Sequence, residues 1–333
     1  MNKHWLFALL LSSLFLLAAC TNGASPEEQD ESKAGLTDVT VMLDWFPNTN
    51  HTGLYVAQQK GFFEEAGINV TIQQPGEGTT ADTMVASGTA DFGISTQENV
   101  TLARTKDIPV VSVAAIIQHN TSSFASLAED NITTVNDFEG KRYGGWGSES
   151  EEATLRGVMQ NAGADPDNVE MITLGATDFL KAIGRDADIM WIFDGWDLVG
   201  AELAGKDIHT IPLREIDPAL DYYTPVLISN ESLLSEQPDL AKSFMDAVSK
   251  GYTFAIEEPE EAADILLEAA PELDAELVKK SQAYLSKEYQ ADASAWGIQN
   301  EDVWQRYADW MSERGLIEDS FTAVDAFSND FLP

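Results

Sequence analysis

Apolar and polar positions alternate along most of this chain in two rhythms. Val39 to Leu43 is a short apolar run, Gly53 to Ala66 carries apolar residues at helical spacing, and Ile68 to Gln73 is extended again. Thr80 to Ser87 predicts a further helix, and Asp91 to Ser95 and Val110 to Gln118 predict further strands. Such repetition implies a parallel sheet covered on both faces. A second unit repeats the alternation, with strands over Lys141 to Gly145, Val169 to Leu174, Ala187 to Phe193 and His209 to Leu213. Its helices fall over Glu151 to Ala162, Asp178 to Ile183 and Gly195 to Ala204, and Tyr222 to Asn230 reads as a return crossing. Beyond it the pattern is helical only, over Pro238 to Ala255, Pro259 to Ala270, Ala275 to Leu285 and Glu301 to Arg314. Pro238, Pro259 and Pro271 stand at starts and ends, where proline is tolerated. The expected fold class is α/β with two lobes, a cleft and two crossing strands. Residues 37–120 and 225–333 form lobe 1 and residues 121–224 form lobe 2. Clefts built in this way close around ligands by hinge motion.

The N-terminal residues break both rhythms. Lys3 precedes an apolar run from Trp5 to Ala19, interrupted only by Ser12 and Ser13 and ending in Leu17-Ala18-Ala19-Cys20. The run is shorter than the roughly 20 residues of a membrane span, so residues 1–19 read as a signal peptide cut before Cys20. Leu-Ala-Ala-Cys resembles the bacterial lipobox, which implies lipidation of Cys20 and an anchor on the outer face of the cell membrane. Cys20 is the only cysteine, which excludes an internal disulfide and leaves no thiol beside a fixed base. Residues 20–36 are polar, charged and poor in aromatics, and read as a lipidated tether.

Charge narrows the partners. The 333 residues hold 19 Lys plus Arg against 56 Asp plus Glu, a net charge of −37, so nucleic acid is not an expected partner. His119 and His209 are isolated, so no metal is expected. No Walker loop, GxSxG elbow or HExxH signature occurs, and no cofactor is expected. A monomer is expected.

Three segments carry candidate chemistry. The loop after the first strand, Asp44 to Gly53, lies where open α/β sheets bind ligands, and Asp44, Trp45, Asn48, Asn50 and His51 can stack on or hydrogen-bond a planar, nitrogen-rich molecule. In the alternative reading Asn50 or Thr52 caps the following helix and Trp45 is core. The second segment, Gly144-Gly145-Trp146-Gly147-Ser148-Glu149, is a glycine-rich turn of the kind that cradles anions, yet Glu149, Glu151 and Glu152 fill the first helical turn. They satisfy the helix dipole and repel an anionic ligand, although Ser148 and Glu151 also match a capping box. Third, Asp194 stands among Trp191, Phe193 and Trp196, where an acid needs a donor-rich partner. Trp191 reads equally as sheet core. Tyr222 and Tyr223 are stacking candidates at the return crossing, one of them structural, and Gln97, Glu98 and Asn99 add hydrogen bonds at the end of the third strand. Trp296, Trp304 and Trp310 read as core.

The run DWFPNTNHTGLYVAQQKGFFEEAGINV, together with GTADFGIST and WIFDGWD, resembles the thiamine-pyrimidine-precursor family, in particular the formylaminopyrimidine-binding lipoproteins of ABC importers. The likeness covers about residues 38 to 320. It implies a type II periplasmic-binding-protein fold and an aminopyrimidine ligand held between aromatic and carboxylate side chains, with Asp44, Trp45, Asn48, Asn50 and His51 on one wall. It also implies an ABC permease and its ATPase as partners. Eukaryotic members of the family synthesise the pyrimidine by consuming a lysine-bound pyridoxal phosphate and a histidine of their own chain, after the third strand. Here Ser95-Thr96-Gln97-Glu98-Asn99 occupies that place, with no Lys between Lys60 and Lys106 and no cysteine after Cys20, so an enzyme is not expected. A riboflavin-type heterocycle or a sulfonate on the same fold is the remaining alternative.

Overall fold

The computed structural model describes residues 35–76, 78–317 and 321–333. The signal peptide, Cys20 and the tether through residue 34 lie outside the described residues.

Ten strands form two five-stranded sheets. β1 (Thr37–Met42), β2 (Ile68–Gln73), β3 (Phe92–Ser95) and β4 (Val110–Ala115) open the first; β5 (Ser122–Leu127), β6 (Arg142–Gly145), β7 (Glu170–Thr173), β8 (Ile189–Phe193) and β9 (Ile208–Pro212) make the second; β10 (Val226–Asn230) returns to the first. The orders are β2-β1-β3-β10-β4 and β7-β6-β8-β5-β9. Pairing is parallel for β1 with β2 and β3 and for β6 with β7 and β8, as the βαβ pattern predicts. The sheets are nonetheless mixed: β10 runs antiparallel to β3 and β4, and β5 antiparallel to β8 and β9. Each exception is the first strand laid down after the chain changes lobes. Without a covering helix to reverse its path, the chain arrives running the other way.

The sequence pattern also misses β5, because Ser122, Ser123 and Ser126 disguise a strand as a loop. All three are buried. Ser122 donates to Asn120 Oδ1 (2.6 Å) and Ser126 to the Ile132 carbonyl (3.4 Å), which makes two of these hydroxyls tolerable inside. Between the lobes, residues 116–121 and 221–225 pass side by side outside any strand, in place of the crossing strands expected. Ile116 N–H donates to the Pro225 carbonyl (3.0 Å), and His119 Nδ1 meets Asp221 Oδ2 (2.9 Å). The hydrogen bond to Asp221 lifts His119 to about 9, so the two segments are joined by an ion pair as well as by backbone.

The expected helix over Gly53 to Ala66 is two, Thr52–Gln59 and Phe62–Glu65, separated at Gly61, whose φ of 76° few other residues adopt. The first packs on Pro238–Glu257, and this contact needs glycine twice: a Cβ on Gly53 would meet the Tyr252 ring at 2.3 Å, and one on Gly251 the Gly53 carbonyl at 2.0 Å. Phe244 from the same long helix stacks on Phe92 with centroids 3.8 Å apart, and burying each ring stabilises the first lobe by about 1.5–3 kcal/mol. The second lobe packs Phe124, Phe138, Tyr143, Leu155 and Trp191.

The helix Glu301–Glu313 joins both cores. Trp304 is buried with Met42 and Ala115 of the first lobe, whereas Tyr307, Trp310 and Met311 are buried with the second. Its outer half therefore departs from the expectation that residues 225–333 belong wholly to lobe 1. Trp296, Trp304 and Trp310 are all buried, as expected of core. Among the described residues no helix is long and apolar enough to cross a membrane.

Candidate functional site

A cavity of about 780 Å³ lies between the lobes, within the range of small-molecule sites. The loop after β1 supplies Asp44, Trp45, Phe46, Asn48 and Asn50 to its wall. This loop is held from behind: Tyr252 Oη donates to the Asn50 carbonyl (2.6 Å) and Tyr289 Oη to the Thr49 carbonyl (2.5 Å). His51 is fully buried and does not line the cavity. Its Nδ1 faces the Asn48 N–H (3.3 Å), which can only donate, so the ring proton sits on Nε2 and points at Asp44 Oδ1 (2.7 Å). His51 thus aims Asp44. Asn48 Oδ1 accepts from Asn50 N–H (2.8 Å), so its oxygen caps the short helical turn Thr49–His51, and its Nδ2 donates to the Phe46 carbonyl (3.1 Å).

The facing wall comes from the turn after β6. Ser148 caps the helix Glu149–Ala162 by accepting from Glu151 N–H (3.1 Å) and also accepts from Trp146 Nε1 (2.9 Å). Trp146 packs against Trp191 with centroids 5.4 Å apart. Both rings line the cavity, although Trp191 is buried with the sheet core as well. Ser150 donates across the cleft to Asn99 Oδ1 (2.7 Å), and Lys106 pairs with Glu149. Glu149 is exposed and absent from the cavity wall, because the first helical position turns its side chain outward. Glu151, two residues on, turns inward in its place.

The other expectations divide. Trp196 lines the cavity; Asp194 does not, its backbone N–H donating to the Thr121 carbonyl (2.9 Å) in the crossing. Burial pushes the Asp194 carboxyl to about 6. Asp197 is the acid that reaches the cavity instead: one wide turn over Asp194–Leu198 carries it there, with Oδ2 accepting from Phe193 N–H (3.0 Å). Gln97, Glu98 and Asn99 do not end a strand but open the helix Gln97–Thr105, capped by Thr96. Gln97 is fully buried and off the wall, because its amide accepts from Tyr223 N–H (3.0 Å) and donates to the Val303 carbonyl (3.3 Å). Tyr222 and Tyr223 are likewise buried and off the wall. Tyr222 donates to Glu98 Oε1 (2.8 Å), and Tyr223 accepts from Asn300 N–H (2.9 Å).

The wall is acidic. Among the described residues, Asp44, Asp82, Glu98, Glu151, Asp178 and Asp197 line it with one cation, Lys181, which pairs with Asp178. Burial pushes Glu98 and Asp197 each up to about 7 and raises Asp82 and Glu151 as well. Glu98 Oε2 and Trp191 Nε1 are buried with no hydrogen-bond partner among the described residues. Such a wall accepts a flat molecule rich in N–H donors and is hostile to an anion. Asp82 gave no signal in the sequence, since an acid within a helical pattern reads as a solvated face; Asp197 lies in the run WIFDGWD, where the flanking aromatics point to Asp194 instead.

Two mixed sheets of this order, a cavity between lobes and paired crossings define a two-lobed solute-binding architecture, the type II periplasmic-binding-protein fold. The same fold is seen in the alkanesulfonate-binding protein SsuA from Xanthomonas axonopodis pv. citri bound to MOPS, with a TM-score of 0.69 at 14% identity over 89% of this chain and 99% of that one. The chain belongs to the NMT1/THI5-like family, whose pattern matches residues 48–262. It is 32% identical to a formylaminopyrimidine-binding protein of Halalkalibacterium halodurans over 99% of both chains. It is 28% identical to a 4-amino-5-hydroxymethyl-2-methylpyrimidine phosphate synthase of Legionella pneumophila, over 89% of this chain and 92% of the other.

Proposed function

We propose that this protein, held to the outer face of the membrane by a lipid on Cys20, captures an aminopyrimidine thiamine precursor, formylaminopyrimidine, outside the cytoplasm and delivers it to an ABC permease driven by its ATPase. The observation that carries the reading is the cavity itself: tryptophan rings on both lobes face carboxylates that need donors. Trp45 and Trp146 offer stacking faces, and Asp44, Glu98 and Asp197 offer acceptors for ring-bound amino groups. The binding relative from Halalkalibacterium halodurans supports the same ligand.

Calorimetric titration of the purified protein tests it. Formylaminopyrimidine is expected to bind with a change in tryptophan fluorescence and a raised Tm. No heat with aminopyrimidines, alongside strong binding of riboflavin or taurine, overturns the assignment.

We read the chain as a binder rather than a synthase. Ser95 donates to Asp82 (2.6 Å) and Asn99 accepts from Ser150 (2.7 Å), and the stretch between them holds neither the lysine nor the histidine that the resemblance implies for the synthases. Pyridoxal phosphate is expected to give no Schiff-base absorbance with the protein. A stable absorbance band that survives dialysis and disappears on borohydride reduction counts against this reading.

A further inference from the structure

We infer that Glu151 is a resident anion that selects against oxyanionic solutes, its carboxylate filling the backbone cradle a sulfonate, phosphate or carboxylate ligand needs. The turn from β6 into the fourteen-residue helix Glu149–Ala162 has the ingredients of an anion site: glycines, a helix N-terminus and backbone N–H groups facing one point. That point is occupied by the chain. Glu151 Oε2 accepts from Gly147 N–H (2.8 Å), and Oε1 accepts from Trp146 N–H (3.3 Å) and from the Tyr143 hydroxyl (2.9 Å). The side chain belongs to the cavity wall yet is only 1% exposed, so a solute reaches these donors only by displacing it.

The local sequence is fitted to this carboxylate rather than to a visitor. A Cβ on Gly145 would lie 2.3 Å from Glu151 Oε1, so glycine is what lets the acid fold back over the strand end. Gly147, with φ of +92°, turns its N–H inward to meet Oε2. The sulfonate-binding protein above shares the fold at 14% identity, so the architecture alone does not decide the sign of the ligand. Here the filled cradle adds to the acidic wall in setting it. The direction of selection rests on the proposed function, since a donor-rich solute gains from an acidic wall; the occupancy of the cradle does not.

The test therefore uses small salts and not the pyrimidine. Glu151→Ala removes the fragment that acetate replaces, and Glu151→Gln keeps the cradle filled with an amide. Melting of the full-length chain is followed in sodium acetate and sodium methanesulfonate against sodium chloride at matched ionic strength. Wild type is expected to melt alike in all three. Glu151→Ala is expected to melt lower in chloride and to regain about 5 °C in acetate or methanesulfonate, saturably, while Glu151→Gln gains nothing. Equal melting of Glu151→Ala in every salt overturns the inference, as does a variant that stays unfolded in all of them. Equal gains in Glu151→Gln place the anion elsewhere and overturn it too. Failure of wild type to bind formylaminopyrimidine is read in a separate titration and leaves the salt result standing.

Discussion

Glu149, Glu151 and Glu152 stand within four positions of one helix, and their fates differ. Glu149 reaches across the cleft to Lys106, Glu152 lies near Arg156 on the surface, and Glu151 is buried under three donors. Side-chain type and spacing place all three in the first helical turn; only the backbone path of Gly145 to Ser148 says which one faces inward. The same holds for Asp194 and Asp197, where a wide turn carries the later acid to the cavity. The tryptophans are easier to place than Tyr222 and Tyr223, because Trp45, Trp146 and Trp196 are too large to be idle beside strand ends. Replacing Trp45 with Ala is expected to weaken formylaminopyrimidine binding by about 1–3 kcal/mol, measured by titration, and unchanged affinity removes the ring from the site. Protonation gives a second reading at this scale. Burial raises Glu98 and Asp197 to about 7, with Asp82 beside the former and Asp178 and Asp194 beside the latter adding to the rise. Folding therefore binds protons at these groups. The stability they contribute is full below the ordinary carboxylate range and lost as pH rises through about 7. A donor ligand reverses the shift, so binding near pH 6.5 is expected to release protons. Calorimetry in buffers of differing ionisation enthalpy measures this, and proton uptake contradicts it.

At the scale of elements, the predicted strand–helix alternation survives because its signals are local. Thr80, Thr96, Ser148, Asn230 and Asp274 each accept from the first turn of the helix they precede. What was illegible needed partners distant in sequence: β5 is a strand only because β8 and β9 flank it and neighbouring acceptors quiet two of its serines. Ser148 serves its element twice, as cap and as acceptor for the Trp146 indole. Ser148→Ala is expected to cost about 1–2 kcal/mol in urea unfolding and to shift tryptophan emission. Loss of stability with unaltered emission leaves the cap intact as an explanation but not the indole anchor. Gly251→Ala probes the long helix. Its methyl has nowhere to go but into the Gly53 carbonyl, so a loss of about 1–3 kcal/mol or more is expected, and wild-type stability contradicts the close approach.

For the whole molecule, two lobes and a cleft were legible from an alternation that stops, restarts and ends in helices alone. The ownership of the last long helix was not, because its apolar stripe suits either core. A rod sunk at one end beside Trp304's neighbours and at the other beside Trp310's ties the halves together, in addition to the two crossings and the Asn99–Ser150 and Lys106–Glu149 contacts across the cleft. With the hinge alone, the jaws could gape freely; with this strut, any wider swing must pull one tryptophan from its seat. Opening the jaws further therefore carries a cost in buried tryptophan surface.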